Sequence, residues 1–271
     1  MKSSKASNVD QELLEFVESL KLSGKALSVL QLMLEDKEIK SIQEYANTVS
    51  IIRLGFNDHG PVHMRIVALN AARMLELIRK AGIKTSLESD GCGNFEDSLT
   101  AVMIAAMLHD IGMGMCRQNH EQHSTLLAYP IIDKILKQVY SDSQYKLTMI
   151  RAMALEGIAG HMGSISVSSL EAGIVQVADG CDMTKGRARI PIVLQQAEKK
   201  GLIHQYSANS IEEVRIGTGE EKPIRIDVNM SNEAGLFQVE EVLMHKIKNS
   251  TAKMYIELYA QVRDEASKKY L

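Results

Sequence analysis

Apolar residues recur along most of this chain with the spacing of helices. Upstream of Gly82 they lie three and four positions apart, at Val67, Ala71, Met74, Leu75 and Ile78, which is the period of a helix with one buried face. Residues 11–50 and the segment from Leu147 to Ile158 show the same period. The uninterrupted apolar run from Ala101 to Leu108 indicates a buried helix. The pattern therefore predicts a mainly α-helical protein.

The pattern changes after about Gly201. Residues 210–216 and 223–228 alternate between apolar and polar positions around Gly217-Thr218-Gly219, as the strands of a β-hairpin do. A third strand is expected near residues 236–239 and a terminal helix from about Val242. We expect three parts along the chain: helices over residues 1–50 that pack on the core, a helical domain over 51–200, and a small C-terminal α+β element over 201–271.

The first candidate metal ligands are the adjacent residues His109 and Asp110, which follow the apolar run from Ala101 to Leu108. Imidazole and carboxylate are ligands for borderline divalent metals, and the end of a buried helix can direct both toward a water-accessible pocket. A buried histidine is more often a hydrogen-bonded core residue than a ligand, so this interpretation needs further ligands. His63 supplies one, because it begins the buried stripe of the helix that ends at Gly82.

Three more segments add candidate ligands. His120 and His123 lie three positions apart in the opening of a helix and share one face, so either is a candidate. His161 follows Gly160 and precedes Gly163, and glycines allow close approach to a metal. Asp179 lies inside a strongly apolar helix, where a carboxylate is costly unless a charge or a metal meets it.

These residues give the chain a resemblance to the HD superfamily of metal-dependent phosphohydrolases. The signature of that family is one histidine, an adjacent His-Asp pair and a later aspartate, all on a helical bundle. The stretches AAMLHDIG and VADGCDMTKGR look like its second and last ligand segments, so Asp179 rather than Asp182 matches the last aspartate. The resemblance covers about residues 57–191. It implies a mainly α fold, an HD-domain helical bundle with a small C-terminal α+β element.

The extra histidines resemble the branch of the superfamily that holds two metal ions. In that branch a small residue follows the first intervening histidine by four positions, as Ser124 follows His120, so the resemblance favours His120 over His123. His161 would be the second intervening ligand. The chain has no Gly-Tyr-Pro string of the kind that marks cyclic-dinucleotide phosphodiesterases, so cyclic-di-GMP is not the expected substrate. The implied ligands of two divalent ions, such as manganese or iron, are His63, His109, Asp110, His120, His161 and Asp179.

From this ligand set we expect hydrolysis of a phosphoester bond in a nucleotide or other small phosphorylated metabolite. Asp110 is the expected bridge between two ions, which together hold a hydroxide for in-line attack on phosphorus. The remaining ligands divide between the two ions, with His63, His109 and Asp179 at one and His120 and His161 at the other.

Other charged residues near these segments have two interpretations each. Lys185 and Arg187, together with Arg189, either contact phosphate, with Lys185 or Arg187 offsetting charge on the leaving side, or form a solvated helix start. Glu121 either complements a helix N-terminus or transfers a proton. His59 is expected in a loop or in contact with a ligand residue, with phosphate contact as its functional alternative.

Two other functions remain open. The superfamily also includes oxygenases that use a pair of irons on nearly the same ligands. The third hypothesis is a nucleotide-sensing module, in which the metal site binds phosphate without turnover and the C-terminal element transmits the state. Six well-placed ligands are more than a scaffold requires, so hydrolysis ranks first.

Composition and charge indicate which compartment and which partners to expect for this protein. The 271 residues carry a net charge of −3, which argues against nonspecific nucleic-acid binding. The three cysteines lack paired metal-site spacing and are expected to be free thiols in a reducing compartment. No apolar run has the length of a membrane span, and the N-terminus lacks the apolar core of a signal peptide. We therefore expect a cytoplasmic protein without nucleic-acid or membrane partners, whose C-terminal element is a candidate for homodimerisation or for closing the pocket.

Overall fold

The computed structural model of the protein describes residues 4–184 and 202–271. Within these ranges the mainly α-helical fold with a small C-terminal sheet is confirmed. The helices in chain order are α1 (Ser4–Ser19), α2 (Lys25–Glu35), α3 (Lys37–Thr48), α4 (Pro61–Lys80), α5 (Ser86–Ser89), α6 (Phe95–Leu108), α7 (His120–Val139), α8 (Gln144–Gly160), α9 (Leu170–Cys181), α10 (Leu202–Ser210) and α11 (Met244–Lys248). Short π-helical or 3-10 turns occupy Val49–Arg53, Ile111–Gly114, Glu233–Gly235, Gln238–Leu243 and Thr251–Tyr255.

Helix α6 is the centre of the helical bundle. All of its residues are buried, as the uninterrupted apolar run predicts, and α2, α4, α8 and α9 pack around it. A capping box fixes its first turn, because the Asn94 side chain accepts a hydrogen bond from the N–H of Asp97 while Asp97 accepts one from the N–H of Asn94. The bundle therefore encloses the end of α6, where His109 and Asp110 follow.

Helix α4 carries the buried stripe that the sequence predicts. It begins at Pro61, a residue suited to the first helical position, and His63 lies in its first turn with 1% exposure. Because α4 packs against both α6 and α9, His63 belongs to a helix that contacts the helices carrying the other candidate ligands.

The C-terminal sheet contains β1 (Ile211–Thr218), β2 (Ile224–Met230), β3 (Ile256–Val262) and β4 (Lys268–Lys269) in the order β1-β2-β3-β4. The expected hairpin is present, since β1 and β2 pair antiparallel. Strand β3 runs parallel to β2, and β4 runs antiparallel to β3. Alternate residues of β2 are buried, and both β1 and β2 contact α4, so the sheet packs on the helical bundle.

Two expectations for the C-terminal region are wrong. Residues 236–239 do not form a strand, because Val239, Leu243 and Ile247 lie four positions apart and are all fully buried, which is a helical pattern. The chain also does not end in a helix from Val242, since β3 and β4 follow α11. The parallel pairing of β3 with β2 requires this helical crossover between them.

The N-terminal helices pack directly on the bundle, with α1 against α4 and α2 against α6 and α7. We retain the division into residues 1–50, 51–200 and 201–271 as a proposal. Cys92, Cys116 and Cys181 are all free thiols. Over residues 4–184 and 202–271, no helix combines the length and the apolar character that crossing a bilayer requires.

Candidate metal centre

The pair His109-Asp110 lies where α6 meets a tight turn. The 3-10 turn Ile111–Gly114 follows at once, and Gly112 in this turn presses against the start of α7. A Cβ added at Gly112 would lie 2.1 Å from the carbonyl oxygen of His120, and the N–H of Gly112 donates to Oγ of Ser124 at 2.8 Å. Glycine and a small residue four positions after His120 therefore let α7 approach closely enough to place His120 beside Asp110.

The two carboxylate oxygens of Asp110 face different groups of histidines. Oδ1 lies 3.0 Å from Nε2 of His120 and 3.5 Å from Nε2 of His161. Oδ2 lies 3.3 Å from Nε2 of His63 and 3.2 Å from Nε2 of His109. A carboxylate with donors grouped at each oxygen has the arrangement of a bridge between two cations.

Asp179 closes the group at Oδ2 of Asp110. Its Oδ1 lies 3.2 Å from Nε2 of His63 and 3.7 Å from Nε2 of His109. Its other oxygen forms an ion pair with Lys246 of helix α11. His63, His109 and Asp179 thus form one compact cluster. Two more clusters overlap it, one of His109, Asp110 and His161 and one of His59, His63 and Asp110.

The outer nitrogens of the histidines fix where their protons lie. Nδ1 of His109 donates to the carbonyl of Ala106 at 2.8 Å, and Nδ1 of His161 donates to that of Ile158 at 2.7 Å. Nδ1 of His120 donates likewise to a carbonyl, that of Arg117, at 3.0 Å. A carbonyl oxygen only accepts, so the proton of each neutral imidazole lies on Nδ1 and its Nε2 presents a lone pair.

These lone pairs face each other at short range. Nε2 of His120 and Nε2 of His161 are 3.1 Å apart, as are Nε2 of His63 and Nε2 of His109. Two acceptor nitrogens at this distance, both beside a carboxylate, repel each other unless a proton or a metal ion lies among them. The donor set of imidazole and carboxylate fits a divalent transition metal.

The pKa values of Asp110 and Asp179 also depend on positive charge nearby. Burial alone would raise the pKa of Asp110, yet the neighbouring imidazoles of His109 and His59 hold it well below its usual range. Burial also opposes ionisation of Asp179, whose pKa is nevertheless held low by Lys246 and then by His109. Burial lowers the pKa of His161 to about 4. At neutral pH Asp110 and Asp179 are therefore ionised and His161 is neutral, which are the forms that bind metal. Burial opposes protonation of His109, but Asp110 and then Asp179 raise its pKa above the usual value.

The structure brings together the six residues that the sequence predicts as ligands. It also distinguishes His120 from His123, which the spacing left as alternatives. Among the described residues, Nε2 of His120 lies 3.0 Å from Oδ1 of Asp110, whereas the buried Nδ1 of His123 has no hydrogen-bond partner. His59 lies in the loop before α4, with Nδ1 2.7 Å from Oδ2 of Asp110. Glu121 lies behind His120, with Oε1 accepting a hydrogen bond from Ser164 at 3.3 Å. Lys185, Arg187 and Arg189 lie outside the described residues.

Three residues at the site were not identified from the sequence as functional. Asp182 was set aside as a ligand, yet its Oδ2 lies 2.7 Å from Nδ1 of His63. Lys246 reaches the site from the C-terminal element. Arg117 approaches His120, with Nη1 3.4 Å from Nδ1. Only Asp182 carried a signal in the sequence, since it follows Asp179 by three positions.

A cavity of about 560 Å³ opens beside Asp110, Asp179 and Lys246. This volume is in the usual range for a small-molecule site. Polar and apolar side chains both line this cavity. The apolar lining residues are Leu54, Phe56, Met162, Met183 and Val242.

Comparison with known proteins gives the family of the chain. The HD domain model matches residues 62–184, a range that contains all six candidate ligands, and the chain belongs to the HD domain family. Uncharacterized protein MJ1020 of Methanocaldococcus jannaschii is 43% identical over 253 residues, which are 93% of this chain and 95% of that protein. No solved structure matches the chain. The family and the clustered ligands together indicate a site for divalent metal.

Proposed function

We propose that this protein is a metal-dependent phosphohydrolase that cleaves a phosphoester bond in a nucleotide or other small phosphorylated metabolite. The observation that carries the proposal is the position of Asp110, whose oxygens each face a separate pair of histidine Nε2 atoms at the wall of the cavity. A carboxylate bridge between two ions is the usual basis for phosphoester hydrolysis with two metals.

Two divalent ions, manganese or iron, account for the ligand set. His63, His109, Asp110 and Asp179 would hold one ion, and His120, His161 and the second oxygen of Asp110 would hold the other. When bound, the ions supply Lewis acidity and a water nucleophile that is activated at neutral pH. The protein residues fix the separation of the ligands, and the buried walls around them exclude bulk water.

The residues next to the ligands orient them. Asp182 holds the ring of His63 through Nδ1, and His59 holds Asp110 through Oδ2. Glu121, 7% exposed, lies next to Nδ1 of His120 at 3.4 Å. We therefore propose for Glu121 an orienting role through His120 in addition to the proton transfer expected from the sequence.

Arg117 is our candidate for binding an anionic group of the substrate. It lines the cavity, and no carboxylate pairs with it among residues 4–184 and 202–271. Its guanidinium carbon lies 5.3 Å from the centroid of the Phe56 ring, a contact that orients the charged group. Lys185 and Arg187 remain proposed phosphate contacts, with Lys185 also proposed to offset charge on the leaving group.

The test is hydrolysis by the metal-loaded protein. Wild type, Asp110→Asn and the surface control Asp142→Asn are loaded with manganese or ferrous iron and assayed with nucleoside monophosphates, sugar phosphates and phosphodiesters. We expect phosphate or alcohol release by wild type and Asp142→Asn, and a loss of about a hundredfold or more in Asp110→Asn.

Two results would contradict the proposal. Oxygen consumption by the iron-loaded protein, without hydrolysis of any phosphoester, would assign the centre to di-iron oxygenase chemistry. Tight nucleotide binding that raises the melting temperature, without product under either metal, would assign the protein to nucleotide sensing.

A further inference from the structure

Lys246 is a buried lysine that the C-terminal element places at the metal centre. It lies on α11, is 6% exposed, and forms an ion pair with Oδ2 of Asp179. Its Nζ also donates to the carbonyl oxygen of His161 at 2.8 Å. Lysine is rarely buried to this degree unless it is paired, so the fold holds this ammonium group in place through groups on two ligand segments.

Close packing on α9 brings Lys246 there. Gly173 and Gly180 lie two turns apart on this helix, and both face the C-terminal element. A Cβ at Gly180 would lie 3.1 Å from Cδ of Lys246, and one at Gly173 would lie 2.1 Å from Oγ1 of Thr251. The absence of side chains at these two positions therefore lets the segment around α11 lie against the helix that carries Asp179.

The same segment is held by hydrogen bonds to the backbone of α9 and its N-cap. Oγ of Ser250 donates to the carbonyl of Gly173 at 2.9 Å, and Oγ1 of Thr251 donates to the carbonyl of Ser169 at 2.6 Å. Two kinds of contact therefore fix the position of Lys246. One is its own contacts with Asp179 and His161, and the other is the anchored turn that follows α11.

The ammonium group of Lys246 has one N–H donor more than the acceptors that the described residues offer it. A lysine has three N–H donors, and the described residues provide acceptors for two of them, on Asp179 and His161. Lys246 lines the cavity next to Asp110 and Asp179. An acceptor that enters the cavity and approaches the clustered ligands would therefore meet this third N–H.

We propose that Lys246 is a catalytic residue that binds a nonbridging oxygen of the substrate's phosphoryl group. This inference rests on the proposed phosphohydrolase function. The centre gathers the carboxylates of Asp110, Asp179 and Asp182, which repel an incoming phosphate unless cationic groups lie among them. Lys246 pairs with Asp179 and still has an N–H donor at a fixed position, which favours it over a mobile surface lysine for stabilising a developing phosphoryl charge.

The reaction leaves Lys246 unchanged. The oxygen of water forms the new bond to phosphorus, the bond from phosphorus to the ester oxygen breaks, and the ester oxygen leaves with a proton from that water. The products are phosphate and an alcohol. Lys246 keeps its three protons throughout and donates a hydrogen bond to the phosphoryl oxygen.

The experiment measures binding of inorganic phosphate to the manganese-loaded protein by calorimetry. Wild type is compared with Lys246→Met and with Lys248→Met, an exposed lysine on the same helix. We expect phosphate to bind about tenfold or more weakly to Lys246→Met, because a charge-assisted hydrogen bond is lost. Lys248→Met should bind phosphate as wild type does, and all three proteins should hold the same amount of manganese.

The outcomes separate this inference from its alternatives. Unchanged phosphate affinity in Lys246→Met overturns it, and so does a loss of manganese from that variant, which would assign Lys246 to holding Asp179. If Lys246→Met does not fold, as judged by circular dichroism, Lys246→Gln carries the same comparison with the same expected and contrary results. Wild type that binds phosphate through Lys246 but hydrolyses no phosphoester would contradict the proposed function while supporting the assignment of Lys246 to phosphate binding.

Discussion

Asp182 accepts a hydrogen bond from Nδ1 of His63 at 2.7 Å, on the side of the ring away from Asp110 and Asp179. The contact fixes the ring orientation and leaves Nε2 as the nitrogen that faces the clustered carboxylates. A carboxylate in this position also makes the imidazole a stronger donor of electrons to a metal. Asp182 thus serves the centre through His63.

Replacing Asp182 by Asn should weaken metal binding without removing a ligand. The neutral amide holds His63 less firmly, and loss of such a partner typically lowers metal affinity tenfold to a hundredfold. We expect a decrease of about tenfold in manganese affinity, measured by competition with a chelating dye. Asp142→Asn, whose carboxylate is largely exposed beside Lys25, is the matched control. Equal affinities in the two variants would contradict the role assigned to Asp182.

Gly112→Ala should strongly destabilise the protein. The added Cβ would lie 2.1 Å from the carbonyl oxygen of His120 and 2.6 Å from the backbone nitrogen of Ser124, and backbone atoms cannot move aside as side chains can. We expect the free energy of unfolding to fall by about 3 kcal/mol or more, measured by urea denaturation. Gly217→Ala, where the new Cβ has no neighbour within 4 Å, should change stability little. A mild effect at Gly112 would mean that the turn and α7 are not in close contact.

Gly173→Ala should disturb the C-terminal element while leaving every candidate ligand in place. The new Cβ would lie 2.1 Å from Oγ1 of Thr251 and 2.7 Å from Oγ of Ser250, so the anchored turn must shift. We expect a loss of about 1–3 kcal/mol in the free energy of unfolding, together with weaker phosphate binding as Lys246 moves. Wild-type stability and phosphate affinity in this variant would show that the turn does not position Lys246.

Glu156 should make a pH-dependent contribution to stability. Its Oε1 accepts hydrogen bonds from the N–H and Oγ of Ser168 and from the N–H of Ser169. Burial opposes ionisation, but these hydrogen bonds lower the pKa of Glu156 below its usual value of 4.5. A lowered pKa in the folded state means that the contribution is complete above about pH 4.5 and is lost as the pH falls through the folded-state pKa.

The comparison of wild type with Glu156→Gln measures this contribution. At pH 7 we expect wild type to be more stable by about 1 kcal/mol, and the difference should shrink as the pH falls below 4.5. Glu44→Gln, at an exposed position, is the surface control. A difference that grows toward acid pH would have the wrong sign for a carboxylate stabilised by these hydrogen bonds.

The sequence predicted the helical bundle and the clustered residues because both depend on local patterns. The ligands lie at the ends or within the apolar faces of helices, so apolar periodicity indicates which polar residues turn inward. His120 and His123 share one helical face, and spacing alone could not separate them. The contact of Gly112 with Ser124 shows the physical reason for the small residue after His120, since a larger side chain would keep α7 away from the turn.

The contribution of the C-terminal element could not be predicted in this way. Lys246 and Asp179 are 67 positions apart, and nothing near Lys246 distinguishes it from other lysines. The parallel pairing of β3 with β2 depends on a crossover that periodicity does not specify. Residues 236–239 by themselves are too short to show a helical period, which becomes evident only when Leu243 and Ile247 are included.

The number of metal ions per chain tests the central claim, that Asp110 bridges two ions, most directly. Elemental analysis of protein purified without chelator compares wild type with His120→Ala, His161→Ala and the control His123→Ala. We predict about two divalent ions per chain in wild type and His123→Ala, falling toward one in each of the other two variants. One ion in all four proteins would contradict the bridge and leave a single-ion site of His63, His109, Asp110 and Asp179.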